Sequence, residues 1–148
     1  MEALQEDTLH KQGFNEAYSS RFATVYTNKK AGILVCSLEE EYVPIEFFKE
    51  TFLTIGEIVK DGKYEKFIFD KRSLRTFHQP SMEWYFIHWK RDMLEYGLTK
   101  HRKILPNIGW FKKAVMIAKH QLVERYPENV IEQLDIKYCD SIDEAISI

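Results

Sequence analysis

The connection 71–79 is basic and leads into a helix that is predicted to begin at Pro80. Lys71, Arg72 and Arg75 lie within it. Guanidinium groups bind carboxylates and phosphates through two parallel hydrogen bonds, and the free N–H groups at the start of a helix also attract anions. The sequence therefore predicts a site for a phosphate, a carboxylate or an acidic protein partner at this connection. Solvated loop charges explain the same residues without a ligand, so both interpretations stay open.

Ser81 lies in the first turn of the predicted helix and is a candidate for phosphorylation. A phosphate there would meet the positive end of the helix dipole and could pair with Arg72 or Arg75. A serine at a helix start also accepts hydrogen bonds from N–H groups that otherwise have no partner. This structural role is the simpler interpretation of Ser81.

No motif supports catalysis or metal binding. The five histidines have no spacing typical of zinc ligands, and the chain has no Gly-x-Ser-x-Gly elbow, phosphate-binding loop or dinucleotide fingerprint. Asp70 and His78 could be drawn as an acid–base pair, but an aspartate at a strand end beside arginines typically has a structural or capping role. The sequence predicts a protein that is not an enzyme and that binds no metal or cofactor.

The predicted helix 80–96 carries more large apolar side chains than one buried face requires. Its apolar positions form two stripes, of which Phe86 belongs to one and Trp84 to the other. One stripe is expected to face the core. The second requires a cover, for which residues 1–20, a second copy of the chain in a homodimer and a small apolar ligand are the candidates.

A chain of 148 residues with a net charge of −2 fits one domain and gives no overall reason to expect nucleic acid as a partner. Cys36 and Cys139 lie in predicted strands and are expected to be free, buried thiols. No apolar run approaches the ~20 residues that cross a bilayer, and no secretory signal is recognisable. The sequence predicts a cytoplasmic protein without a membrane span.

The hydrophobic pattern predicts an α/β fold with a mixed, largely parallel sheet of about five strands, an N-terminal β-hairpin and about four helices. Residues 1–20 are predicted to form a flexible arm, and residues 21–148 a single domain. Asn107 and Ser141 are the expected caps of the last two helices. The predicted elements are a hairpin over 21–38, a helix over 44–60, a central strand over 66–70, a helix over 80–96, a strand over 103–105, a helix over 107–126, a strand over 134–139 and a final short helix.

This order of elements resembles that of the STAS superfamily and, within it, the small bacterial single-domain proteins called SpoIIAA-like. Two runs carry the resemblance, Phe67-Ile68-Phe69-Asp70-Lys71-Arg72 and Asp140-Ser141-Ile142-Asp143-Glu144-Ala145. The resemblance covers about residues 21–148. It implies helices packed mainly on one face of a mixed sheet, and a role in binding rather than catalysis.

Anti-sigma-factor antagonists of that superfamily are phosphorylated on a serine at the start of the helix after the central strand. Ser81 matches this serine by position alone, because the Asp-Ser-Ser-Gly stretch of the family is absent here.

Two functions are therefore expected, and they differ in what the protein binds. The first is a non-catalytic regulatory module that binds a protein partner, or a second copy of itself, through loop 71–79 and helix 80–96. The second is a carrier or sensor of a small apolar, lipid-like ligand held between that helix and the sheet, as lipid-binding relatives in the superfamily imply. The residues predicted to contact a partner or an anion are Lys71, Arg72, Arg75, Ser81 and Trp84.

Overall fold

A six-stranded mixed sheet lies at the centre of the computed structural model, which describes residues 2–148, with side chains described from Asp7 onwards. The spatial order of the strands equals their order in the chain: β1 (Asn15–Ser19), β2 (Ala23–Asn28), β3 (Ile33–Leu38), β4 (Lys66–Asp70), β5 (Lys100–Ile104) and β6 (Asp135–Tyr138). The pairs β1–β2 and β2–β3 are antiparallel, whereas β3, β4, β5 and β6 run parallel to one another. The predicted α/β class with an N-terminal hairpin is confirmed, with six strands in place of about five.

The helices cover both faces of the sheet. They are α1 (Glu2–Lys11), α2 (Ile45–Lys60), α3 (Gln79–Glu83), α4 (Lys90–Leu94), α5 (Gly109–Arg125) and α6 (Ile142–Ser147), with a π-helical segment (Trp84–Trp89) between α3 and α4. Right-handed crossovers between neighbouring parallel strands place α2, the α3–α4 helix and α5 on the same face. Residues of α1 and α6 pack on the opposite face. No helix in the described part of the chain is long and apolar enough to span a bilayer.

Strand β4 is buried along its whole length, as its continuous apolar run predicted. Side chains alternate between the two faces, so Phe67 and Phe69 contact the helices while Ile68 joins the core on the other face. The ring of Phe52 from α2 lies 5.0 Å from that of Phe69 and 4.9 Å from that of Trp89. These tilted and edge-on pairs connect β4 to two helices through one aromatic cluster.

The predicted helix 80–96 contains a π-helical turn, in which the N–H of Lys90 donates to the carbonyl of Tyr85. The extra residue in this turn brings Tyr85, Phe86 and Trp89 into the core together. The indole Nε1 of Trp89 also donates to the carbonyl of Phe52, at 2.7 Å. Of the second apolar stripe, Ile87 is buried and Trp84 is partly buried, so much of that stripe is covered within the domain.

The segment 2–20 differs from the predicted flexible arm, because it forms α1 and the edge strand β1. A turn at Gly13, with a φ of 90°, lets the chain reverse before β1 pairs with β2. Leu9 and Phe14 flank this turn and are buried against the sheet. The apolar residues here are too widely spaced to show a period, so their burial depends on the rest of the fold. Met1 lies outside the described residues.

Of the caps predicted for the last two helices, the structure has one and lacks the other. Ser141 Oγ accepts a hydrogen bond from the N–H of Glu144, as predicted, and the Glu144 carboxylate accepts one from the N–H of Asp140. The predicted Asn107 cap is wrong, because α5 begins after Ile108 without a side-chain cap. The side-chain oxygen Oδ1 of Asn107 instead accepts from Lys112 Nζ.

Helix α6 is held on the sheet by two long cationic side chains. Lys66 Nζ donates to the main-chain oxygens of Ala145 and Ile146, at 3.0 and 2.8 Å. The guanidinium of Arg102 donates to the main-chain oxygen of Ile148 and pairs with Asp135. Cations at the carboxyl end of a helix satisfy its free carbonyls and interact favourably with its dipole.

Replacing Phe14 with alanine tests whether the N-terminal segment belongs to the core. Phe14 is only 2% exposed, so we expect the free energy of unfolding to fall by about 3 kcal/mol, through lost apolar burial and a residual cavity. Urea unfolding followed by circular dichroism measures it. Glu16→Ala, at an exposed position of β1, is the control and should change stability by less than ~0.5 kcal/mol. Equally small effects of both substitutions would contradict a core role for Phe14.

Candidate functional site

A cavity of about 50 Å³ lies at the carboxyl end of β4, where loop 71–78 begins. Parallel strands of open α/β sheets commonly bind ligands outside their carboxyl ends. The volume is enough for a few water molecules or for a small organic group. Its walls come from β4, α2, the loop, the π-helical segment and α5, and include Phe69, Phe48, Phe77, Tyr85 and Phe111. The cavity is therefore small and predominantly aromatic.

Lys71 directs its amine toward this aromatic cavity. Its N–H donates to the carbonyl of Ile104, which extends the β4–β5 pairing by one residue. Alternation along the strand then places the Lys71 side chain on the same face as Phe67 and Phe69. Lys71 is 8% exposed, and its Nζ lies 5.1 Å from the centre of the Phe69 ring.

The Lys71 amine has no ion-pair or hydrogen-bond partner within the described residues. Burial lowers the pKa of Lys71 from its ordinary value of 10.5 to about 8. The protonated amine therefore still predominates at pH 7. The site thus presents a single, poorly solvated positive charge in apolar surroundings.

Ser81 and His78 form a second polar part of the cavity wall. His78 Nδ1 accepts from the N–H of Ser81 at 3.3 Å and lies 2.8 Å from its hydroxyl oxygen. His78 is thus the cap of α3, a role that the sequence analysis did not assign. Ser81 is 6% exposed, and its hydroxyl contacts His78 instead of a helix-start N–H group, so the capping role that was predicted for Ser81 belongs to His78. Phosphorylation of Ser81 stays a prediction.

The structure separates the three cations of the predicted anion site. Asp70 accepts from Nε of Arg72 at 2.9 Å and from its Nη2 at 2.7 Å, and it also accepts from the main-chain N–H of Arg72. The hydrogen bond to Asp70 raises the pKa of the Arg72 guanidinium. Arg75 donates to the carbonyls of Arg72 and Leu74 at 2.8 and 2.7 Å. Of the three cations, only Lys71 lines the cavity.

Trp84, the remaining predicted contact residue, is partly buried beside α2. Its ring lies 6.3 Å from that of Phe48 in an edge-on arrangement, and Lys49 Nζ lies 5.7 Å from it. Trp84 does not line the cavity, although Phe48 does. The five predicted contact residues therefore do not converge on one site.

Tyr85, which lines the cavity, also contacts two buried lysines that the sequence analysis did not single out. Nζ of Lys90 lies 5.0 Å from the Tyr85 ring and 4.3 Å from the Phe86 ring, and Nζ of Lys103 lies 5.2 and 3.7 Å from the same rings. Burial lowers the pKa of both amines well below the ordinary value, and the charge of Lys90 lowers the pKa of Lys103 further. Both lysines are thus held toward the neutral form.

Comparison of the sequence with protein-family models and with curated proteins finds no match. The resemblance to the STAS superfamily therefore stays a prediction, and the geometry of the cavity has to carry the functional argument. Within residues 7–148, no three histidine, cysteine, aspartate or glutamate side chains cluster closely enough to hold a metal ion.

The Lys71→Met variant tests the burial of the amine. A pKa lowered from 10.5 to about 8 corresponds to about 3 kcal/mol against the protonated form. The unfolded chain binds more protons than the folded chain between these values, so wild-type stability rises with pH in this window. Lys71→Met should be the more stable protein at pH 7, and its advantage should shrink by roughly half at pH 9.5.

Urea unfolding at the two pH values measures both effects. Lys113→Met, on the exposed side of α5, is the matched control and should show no such dependence on pH. If the free energies of unfolding of wild type and Lys71→Met differed by the same amount at both pH values, the amine would be solvated.

Proposed function

We propose that this protein binds a small, mainly apolar ligand that carries an anionic group, for which a carboxylate is the simplest choice. The apolar part would contact Phe69, Phe77 and Phe111, and the anionic group would lie against Lys71. The observation that carries the proposal is a lysine that is only 8% exposed and whose amine has no partner among the described residues, in the wall of an aromatic cavity.

The physical reason is the cost of a buried charge. An ammonium group removed from water is unfavourable unless an opposite charge or hydrogen-bond acceptors replace the lost hydration. The described neighbours of Lys71 in the cavity are mostly aromatic and aliphatic. A carboxylate would supply the missing charge and acceptors, while its apolar body would occupy the remaining space.

A binding role, rather than catalysis, is part of the proposal. The carboxylate of Asp70 is occupied by Arg72, and His78 caps α3 through Ser81. Neither group is therefore positioned as an obvious base for a reaction in the cavity. We favour a carrier or sensor, and a cytoplasmic location, which the buried free thiols of Cys36 and Cys139 support.

The protein-binding alternative has less support from helix 80–96. Tyr85, Phe86, Ile87 and Trp89 are all buried within the domain, so the aromatic helix leaves little apolar surface for a partner or a second copy. The mixed sheet with its N-terminal hairpin agrees with kinship to the STAS superfamily. That kinship is compatible with either kind of binding and does not decide between them.

A pair of isosteric ligands tests the proposal. Benzoate and benzamide have the same apolar body, but only benzoate carries a negative charge. We expect wild-type protein to prefer benzoate by at least about tenfold, because a charge-assisted contact in apolar surroundings is stronger than a neutral one. Lys71→Met should lose this preference, and Lys113→Met should retain it. Titration followed by NMR chemical shifts measures the affinities.

The pH dependence provides a second readout of the same site. The protonated fraction of an amine with a pKa of about 8 falls roughly tenfold between pH 7 and pH 9. Benzoate affinity should fall correspondingly, and benzamide affinity should not. Equal affinity for the two ligands at pH 7, or binding of neither, would overturn the proposal.

A further inference from the structure

We infer that Lys71 also acts as a nucleophile, which captures small apolar aldehydes and ketones in the cavity as a reversible imine. This inference rests on the proposed function, since it uses the same cavity and the same amine. It adds a covalent mode of binding and a second chemical class of ligand.

Geometry is the first support. Lys71 is the lysine that lines the cavity, and its side chain leaves the sheet on the same face as Phe69. No carboxylate within the described residues pairs with the amine and holds it as an ammonium ion. Lys90 and Lys103 do not line the cavity, although both lie beyond Tyr85 in the same layer. A carbonyl compound in the cavity would therefore meet Lys71 first.

The fraction of neutral amine is the second support. Only the unprotonated amine has the lone pair that attacks a carbonyl carbon. Burial lowers the pKa of Lys71 to about 8, so roughly a tenth of the amine is neutral at pH 7, whereas an ordinary lysine has well under a thousandth. Desolvation of a lysine in an apolar pocket is an established way to obtain a nucleophilic amine.

The reaction balances without an oxidant or a reductant. The Nζ lone pair forms a bond to the carbonyl carbon, the C=O pair moves to oxygen, and a proton passes from nitrogen to that oxygen. A second proton, taken from the solvent, protonates the hydroxyl, and the nitrogen lone pair expels it as water, which leaves a protonated imine. Addition of one water molecule reverses both steps and returns that proton to the solvent.

The walls select the carbonyl compound. A cavity of about 50 Å³ lined mainly by aromatic and aliphatic side chains favours a short apolar aldehyde over a polar one of similar size, because polar hydroxyl groups would lose their hydrogen bonds to water. Butanal and glyceraldehyde form a matched pair of probes, since they are similar in size and differ in polarity.

Reductive trapping provides the test. The protein is incubated at pH 7 with butanal and cyanoborohydride, which reduces an imine to a stable secondary amine, and peptides are mapped by mass spectrometry. We expect Lys71 to be butylated at least about tenfold faster than the exposed Lys30, in line with its larger neutral fraction. Glyceraldehyde should show no preference for Lys71.

Two variants and one competitor control the experiment. Lys71→Met should lose the fast reaction without loss of folding, as judged by circular dichroism, and Lys30→Arg should retain it. Benzoate should slow butylation of Lys71 and leave that of Lys30 unchanged, because it occupies the same cavity.

The outcomes separate this inference from the proposed function. Benzoate binding that depends on Lys71, together with equal butylation of Lys71 and Lys30, would overturn the nucleophile and leave the carboxylate site intact. Preferential butylation of Lys71 without benzoate binding would support the nucleophile and overturn the anionic part of the proposed ligand. Failure of both measurements would overturn both.

Discussion

Burial of β4 on both faces is the constraint on which the rest of this structure depends. A parallel strand in the middle of a sheet has to be covered from both sides. Helices α2, α3–α4 and α5 cover one side through the aromatic cluster around Phe52, Phe67 and Phe69, and α1 and α6 cover the other. The position and direction of every side chain near the end of β4 follow from this arrangement.

Alternation along β4 explains why neighbouring residues of one basic run have different environments. Lys71 follows Phe67 and Phe69 into the layer beneath the helices, whereas Asp70 follows Ile68 to the other side. Asp70 accepts hydrogen bonds from Arg72, whereas the Lys71 side chain lines the aromatic cavity. The basic residues that follow β4 therefore do not form one cationic cluster. Arg72 pairs with Asp70 on one side of the sheet, and the Lys71 amine lies on the other.

The parts of the fold that were predictable are those with a strong local signal. The apolar runs of β3 and β4, the helical period of α2 and the capping box at Ser141 each identified an element. Strand β5 spans Lys100–Ile104, whereas the sequence predicted a strand only over 103–105. Lys100, His101, Arg102 and Lys103 are polar, and only the surrounding helices and sheet determine their burial. The sequence predicted where the candidate site lies, at the carboxyl end of β4, but not which residues form it. Extending the alternation of Phe67 and Phe69 by one step would have identified Lys71 as its buried cation.

The order of the strands has a consequence for how the chain folds during synthesis. Each strand pairs with its neighbour in the chain, so the sheet can grow progressively as the chain emerges. The contacts of α6 are different, because Lys66 reaches carbonyls 79 and 80 residues further along the chain. Until residues 142–148 have been synthesised, Ile68 and Ile104 lack part of their cover. Nascent chains of this protein therefore expose part of one apolar face of the sheet, and at that stage aggregation competes more strongly with folding.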